Sequence, residues 1–213
     1  MTLYQAMWRG ALALGTFALV TAGSVAVTRA LTAERIDQHQ LAYQYRQLQA
    51  VLPASLVTDS QASLLEDTFE LPEPERLGHR APTHGWYVHH ADEAAVVLPV
   101  ITHQGYSGAI HLLVGIDHEG RISGVRVTRH QETPGLGDAI EHQRSDWITR
   151  FDGLTRHSLP PESWAVRQQG GAFDGFTGAT ITPSAVINAV HDALRYAHEV
   201  RLPITIEEPR SER

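Results

Sequence analysis

The chain has 213 residues, 42% of them hydrophobic and 19% charged, which suits one folded domain with an appendage and excludes a disordered polymer. Its net charge of −7 removes the electrostatic case for nucleic-acid binding. All 17 basic residues are arginines and there is no cysteine, so lysine Schiff bases, Walker-type phosphate lysines, thiolate nucleophiles, Fe–S ligation and disulfides are excluded, and any redox role rests on a bound cofactor.

After a short N-terminal segment (1–9), residues 10–28 run without a charge between Arg9 and Arg29. At 1.5 Å rise per residue that run nearly matches a hydrocarbon core of ~30 Å, which predicts a transmembrane helix. A cleaved signal peptide competes, with Ser24-Val25-Ala26 as small residues at a cleavage site. The run is longer than a usual apolar region of ~7–15 residues, and a helical pattern continues behind it, so an uncleaved anchor is favoured. The flanking charges do not orient it: Arg9 lies on one side, Arg29 and Arg35 on the other, diluted by Glu34 and Asp37.

From about Thr32 to Val51 an amphipathic helix is expected, with Ile36, Leu41, Tyr45, Leu48 and Val51 near one face and Pro53 just beyond its end. Residues 29–84 as a whole read as a helical stalk and irregular connector. The connector holds an apolar patch (Leu56, Val57, Leu64, Leu65), a solvated acidic run from Glu66-Asp67 to Glu70, and a Pro-rich stretch from Leu71 to Arg76. Strands are expected at Trp86–His89, Val96–Thr102, Gly108–Ile116 and Arg121–Arg129, the last two joined as an antiparallel hairpin by Asp117-His-Glu-Gly120. Helices are predicted at Ala139–Thr149 and Pro183–Val200. The second is the better one: Thr182 is a suitable N-cap, Pro183 suits the first helical position, and Val186, Ala189, Val190, Ala193, Leu194 and Ala197 form a stripe at helical spacing. The fold class is α+β, a transmembrane helix followed by a domain at 85–202 with a largely antiparallel sheet packed by helices, and a tail at 203–213.

The candidate chemistry lies just before that helix. Its unpaired N–H groups and positive dipole end point back at the bend Thr177–Thr182, a place for a phosphate or another anion. A second shaped loop, His130–Asp138, carries Thr133-Pro134-Gly135-Leu136-Gly137 after a strand. The 13 histidines show no ligand spacing, and His89-His90 are adjacent, pointing to opposite faces of a strand, so no metal site is expected. Ser107 lacks the Gly-x-Ser-x-Gly elbow of a serine hydrolase.

The order Asp174-Gly-Phe-Thr177-Gly178-Ala179-Thr180 resembles the flavinylation motif Asp-x-x-Ser/Thr-Gly-Ala-Thr of the FMN-binding domains in Rnf and Na⁺-translocating NADH:quinone reductase complexes. Glu132-Thr-Pro-Gly-Leu-Gly137 and Gly105-Tyr-Ser-Gly-Ala-Ile110 match the same family in the same order, so the resemblance covers about residues 86–200, and the N-terminal helix fits it too. Gln131 departs from it, standing where many relatives have Lys. Length and layout are closest to the G subunits of Rnf complexes; the C subunits of the NADH:quinone reductases share the motif and are the alternative, as is a membrane-tethered sensor that holds FMN noncovalently.

The resemblance implies one FMN joined through its phosphate to the Thr180 hydroxyl, attached by a separate flavin transferase that reads Asp174. It implies Thr177 and Thr182 near the phosphate or ribityl chain, Gly178 and Ala179 leaving backbone bare, and Glu132, Thr133, Pro134, Gly135 and Leu136 beside the flavin ring. Tyr106, Trp147 and Trp164 are aromatic residues that could pack near the ring, but core or surface packing is the favoured reading for each. It also implies an electron-relay subunit with no complete active site of its own, partnered by other Rnf subunits (membrane flavoprotein, Fe–S and integral membrane subunits). The FMN domain is expected on the periplasmic side of the inner membrane.

Overall fold

The computed structural model describes residues 3–57, 67–90, 93–200 and 202. It divides into two compact units, Met1–Gln44 and Tyr45–Arg213. The expectations at Leu64, Leu65, Glu66 and the tail 203–213, and those for the side chains of Ile36 and Leu41, lie outside the described residues.

The first unit is helical. One α-helix, α1 (Leu3–Gln49), runs through both the apolar stretch and the amphipathic pattern, which were expected as successive segments. No proline interrupts it before Pro53, so the ladder of i→i−4 bonds has no cause to break. Residues Met7–Ala33 are long and apolar enough to cross a membrane, a span that reaches further at both ends than the 10–28 expected from the flanking charges. Its hydroxyls do not demand water: Thr16, Ser24 and Thr28 donate to carbonyls four residues back, at 2.7, 2.7 and 2.8 Å.

The second unit is built on a five-stranded antiparallel meander: β1 (Thr68–Glu70), β2 (His84–His90), β3 (Glu93–Thr102), β4 (Ile110–Asp117) and β5 (Ile122–Arg129), side by side in chain order. The expected strands are all present, and β1 is an addition from the stretch read as irregular. The β4–β5 turn is closed by Asp117, whose Oδ1 accepts from the N–H groups of Glu119 and Arg121 at 3.0 and 2.8 Å. Pro99 sits within β3, where a missing donor would break a ladder. Its pairing with β2 ends at Val97, so on that side nothing is lost.

Along β3 and β4, in the middle of the sheet, both faces are buried, which is why Val96–Leu98 reads as an unbroken apolar run. Val96, Leu98, Val100, Leu112 and Val114 pack on one side with Val186, Ile187, Val190 and Leu194. Ala95, Val97 and Leu113 face the other way, against Tyr45, Leu48, Val51, Leu52 and Leu56. There the paired glycines Gly115 and Gly124 admit backbone: a Cβ on Gly115 would stand 2.0 Å from the Val51 carbonyl oxygen.

The helix expected at Ala139–Thr149 is replaced by two 3-10 turns, Gly137–Ile140 and Asp146–Phe151. Its apolar residues are too sparse for a stripe, and Ser145 turns the chain by accepting the Trp147 N–H at 3.0 Å. The last helix, α2 (Ile181–Glu199), starts two residues earlier than expected, with Thr180 as its N-cap residue. Thr182 is therefore not a cap. It is fully buried and its hydroxyl points across to Glu132. Pro183 still lies in the first turn, where an N–H has no helical partner.

Candidate functional site

The bend before α2 is held from behind. The indole N–H of Trp147 donates to the Asp174 carbonyl oxygen at 2.7 Å, and the Trp147 ring meets Phe176 edge-on at 5.0 Å. The Asp174 carboxylate pairs with Arg167 at 3.0 Å and Arg150 at 3.4 Å. Gly178 then takes φ of +80°, the left-handed turn position that glycine accepts without strain, and Ala179 N–H closes the turn on Phe176 at 3.2 Å. The chain so arrives at Thr180 exposed, its hydroxyl making no capping bond, at the open end of α2.

The loop after β5 is shaped by its own groups. Leu136 and Gly137 N–H both donate to Thr133 O at 3.1 Å, and Gly135 N–H donates to Asp138 Oδ1 at 2.8 Å. At its start the Glu132 N–H donates to His130 Nδ1 at 3.0 Å, which leaves the proton on Nε2, 2.6 Å from Glu141 Oε1.

These segments meet at a cleft of about 270 Å³, lined chiefly by Tyr106, Thr133, Leu136, Ala179, Thr180 and Ile181. All three sequence motifs thus reach one place. Among the described residues after Val57, the exposed large apolar side chains are Tyr106 (71%), Leu136 (44%) and Ile181 (50%), and all three stand on this cleft. An apolar rim over polar backbone and hydroxyls suits a flat ring carrying a polar tail.

Of the residues expected at the site, Glu132, Thr133, Leu136, Gly178, Ala179, Thr180 and Thr182 line the cleft, as does Tyr106, while Asp174, Thr177, Pro134 and Gly135 do not. Trp147 supports the bend, and Trp164 is buried in the core, stacked on His191 at 4.8 Å. Sequence reasoning missed Ile181, although its signal was present: it is an apolar residue out of phase with the buried stripe of its own helix. It also missed Arg150 and Arg167, which had no local pattern to reveal them. Among the described residues no three His, Asp or Glu side chains converge as a metal site.

An FMN-binding domain model matches residues 105–195, and a RnfG N-terminal region model matches residues 1–51. The chain is 44% identical over 193 residues to the G subunit of the ion-translocating oxidoreductase complex of Pseudomonas aeruginosa (strain UCBPP-PA14), covering 90% of this chain and 89% of the relative. The G subunit from Cronobacter sakazakii (strain ATCC BAA-894) is 45% identical over 186 residues, 86% of each chain. That of Vibrio cholerae serotype O1 is 40% identical over 195 residues, 91% of each. A crystal structure of the C subunit of Na(+)-translocating NADH-quinone reductase from Parabacteroides distasonis ATCC 8503 aligns with a TM-score of 0.49 at 16% identity, over 76% of this chain and 96% of that one.

Proposed function

The chain belongs to the family of G subunits of the ion-translocating oxidoreductase complex, and from that premise we propose that it is a membrane-anchored electron-relay subunit carrying one FMN on Thr180. The observation that carries the reading is the cleft itself, in which an exposed threonine hydroxyl at a helix start faces an apolar rim. The residues present fit the group. A phosphodiester on Thr180 would place its single negative charge at the positive end of α2, which stabilises an exposed anion by roughly 0.3–1 kcal/mol. Leu136 and Ile181 offer apolar contact to a ring, Tyr106 a stacking face, and the bare backbone of Gly178 and Ala179 close approach. Thr133 supplies a polar group beside them.

When bound, FMN supplies redox chemistry that accepts electrons singly or in pairs. The chain's own residues position it, shield one side of it from water and hold its phosphate. Thr177 and Asp174, set outside the cleft, suit a different role, that of presenting the bend to a flavin transferase, with Arg150 and Arg167 holding Asp174 in place. The apolar part of α1 anchors the subunit in the inner membrane. Membership of the family supports an FMN domain on the periplasmic side, beside the other Rnf subunits.

Covalent attachment is read on one gel. Co-expressed with its transferase, the protein is expected to fluoresce under ultraviolet light after denaturing electrophoresis, and Thr180→Ala to abolish the band's fluorescence. A dark wild-type band overturns the linkage and leaves a noncovalent FMN module. Fluorescence kept by Thr180→Ala but lost in Thr177→Ala moves the anchor to Thr177.

A further inference from the structure

Glu132 is only 4% exposed, yet it carries a carboxylate. A carboxylate buried so far keeps its place when its oxygens are hydrogen-bonded, and both are. Oε1 accepts the Ser107 N–H at 3.0 Å, and Oε2 accepts the Thr182 hydroxyl at 2.5 Å. These donors belong to separate elements: Ser107 to the loop between β3 and β4, Thr182 to the first turn of α2. Two glycines make room for the link. A Cβ on Gly105 would stand 2.9 Å from Oε1, and one on Gly137 3.0 Å from Oε2. Among the described residues, the Ser107 bond is the one hydrogen bond joining loop 105–109 to another element. That loop carries Tyr106, 71% exposed on the cleft.

We propose that Glu132 is a positioning residue, a latch that sets the wall bearing Tyr106 against the helix turn bearing Thr180 and thereby fixes how the flavin ring lies in the cleft. The proposal rests on the reading that FMN is attached at Thr180. Because both its oxygens are taken, Glu132 acts through Ser107 and Thr182. Without it, Thr180 keeps its place at the helix start and still accepts the flavin, but loop 105–109 parts from α2 and the ring loses one wall.

The test uses the full-length protein in detergent, with and without co-expressed transferase. In the unloaded protein, Glu132→Ala is expected to speed hydrogen exchange of the 103–110 peptide at least tenfold, as the Ser107 N–H is freed. In the loaded protein the denatured band should remain fluorescent, while native flavin fluorescence anisotropy falls and the midpoint potential shifts from that of wild type. Glu132→Gln should restore all three, since its amide oxygen accepts from Ser107 and its NH₂ donates to the Thr182 oxygen.

Wild-type exchange and wild-type anisotropy in Glu132→Ala overturn the latch. So does a Glu132→Gln that behaves like Glu132→Ala while melting like wild type. Should Glu132→Ala not fold, Thr182→Val, which removes one of the two bonds, must still lower the anisotropy; a wild-type value there overturns the proposal. A wild-type protein with no covalent flavin refutes the FMN reading instead, and the exchange experiment then still judges the latch.

Discussion

Around the cleft, single atoms decide which residues are admissible. A Cβ on Gly137 would stand 2.9 Å from Glu132 Cβ and 3.1 Å from Thr182 Oγ1, so alanine there must push apart a buried hydrogen-bonded pair. Gly135, two residues earlier, has open space where a Cβ would go and only its φ of +79° to protect. Gly137→Ala is therefore expected to cost about 1–3 kcal/mol by overpacking. Gly135→Ala should cost about 1 kcal/mol from the left-handed backbone alone. Urea midpoints of the two variants check the order, and equal losses would show that the Glu132–Thr182 contact yields easily. The sequence announced that these glycines matter through the Pro-Gly-x-Gly pattern. It could not tell that one serves a turn and the other a neighbour.

Among the elements, sheet and helix boundaries were legible where a period was strong and failed where contacts far along the chain took over. The stripe of α2 and the alternation of β5 were readable because one face of each is buried. Thr182 was misassigned as a cap because it carries the right side chain for one; a carboxylate fifty residues earlier in the chain took its hydroxyl instead. The turn at Asp146–Phe151 is held by an aromatic cluster of Trp147, Phe151, Trp164 and Phe173 rather than by local periodicity. The back of the sheet offers a test at this scale. With Val51 O only 2.0 Å from the space a Cβ would fill, Gly115→Ala should displace the 50–52 segment from the sheet. It also removes the room in which Ser123 Oγ donates to Val51 O at 2.5 Å. The expected result is a lower Tm and faster proteolytic cutting near residue 52, and an unchanged cutting rate would refute it.

For the molecule as a whole, two properties follow from where charge and apolar surface lie. Leu12, Leu14, Phe17 and Leu19 of α1 are 67–76% exposed, within the Met7–Ala33 stretch that is long and apolar enough to cross a membrane. In the domain, burial pushes the His191 imidazole below its ordinary range, opposed by nearby Asp192, and pushes His111 the same way with help from Arg129. The unfolded chain takes up these protons near pH ~6.5, the folded chain only at lower pH. Stability from their neutral forms is thus full above that value and falls as pH drops through it. His191→Phe keeps a ring against Trp164 and removes one titration. Its Tm should therefore gain on that of wild type between pH 7 and pH 5, and parallel curves would refute the assignment.

The sequence by itself determined the N-terminal apolar helix, the strands with the hairpin joining the last two, the last helix and the three motifs that mark an FMN-binding domain, because each is written in neighbouring residues as a period, a turn or a fixed string. Only the tertiary structure decided that the three motifs meet in one cleft, that Ile181 joins its rim, that Asp174 lies behind it between two arginines, and that Glu132 turns inward to bind Ser107 and Thr182. Those facts depend on residues brought together by the sheet and α2 across fifty positions of chain and more, and no local pattern encodes that distance.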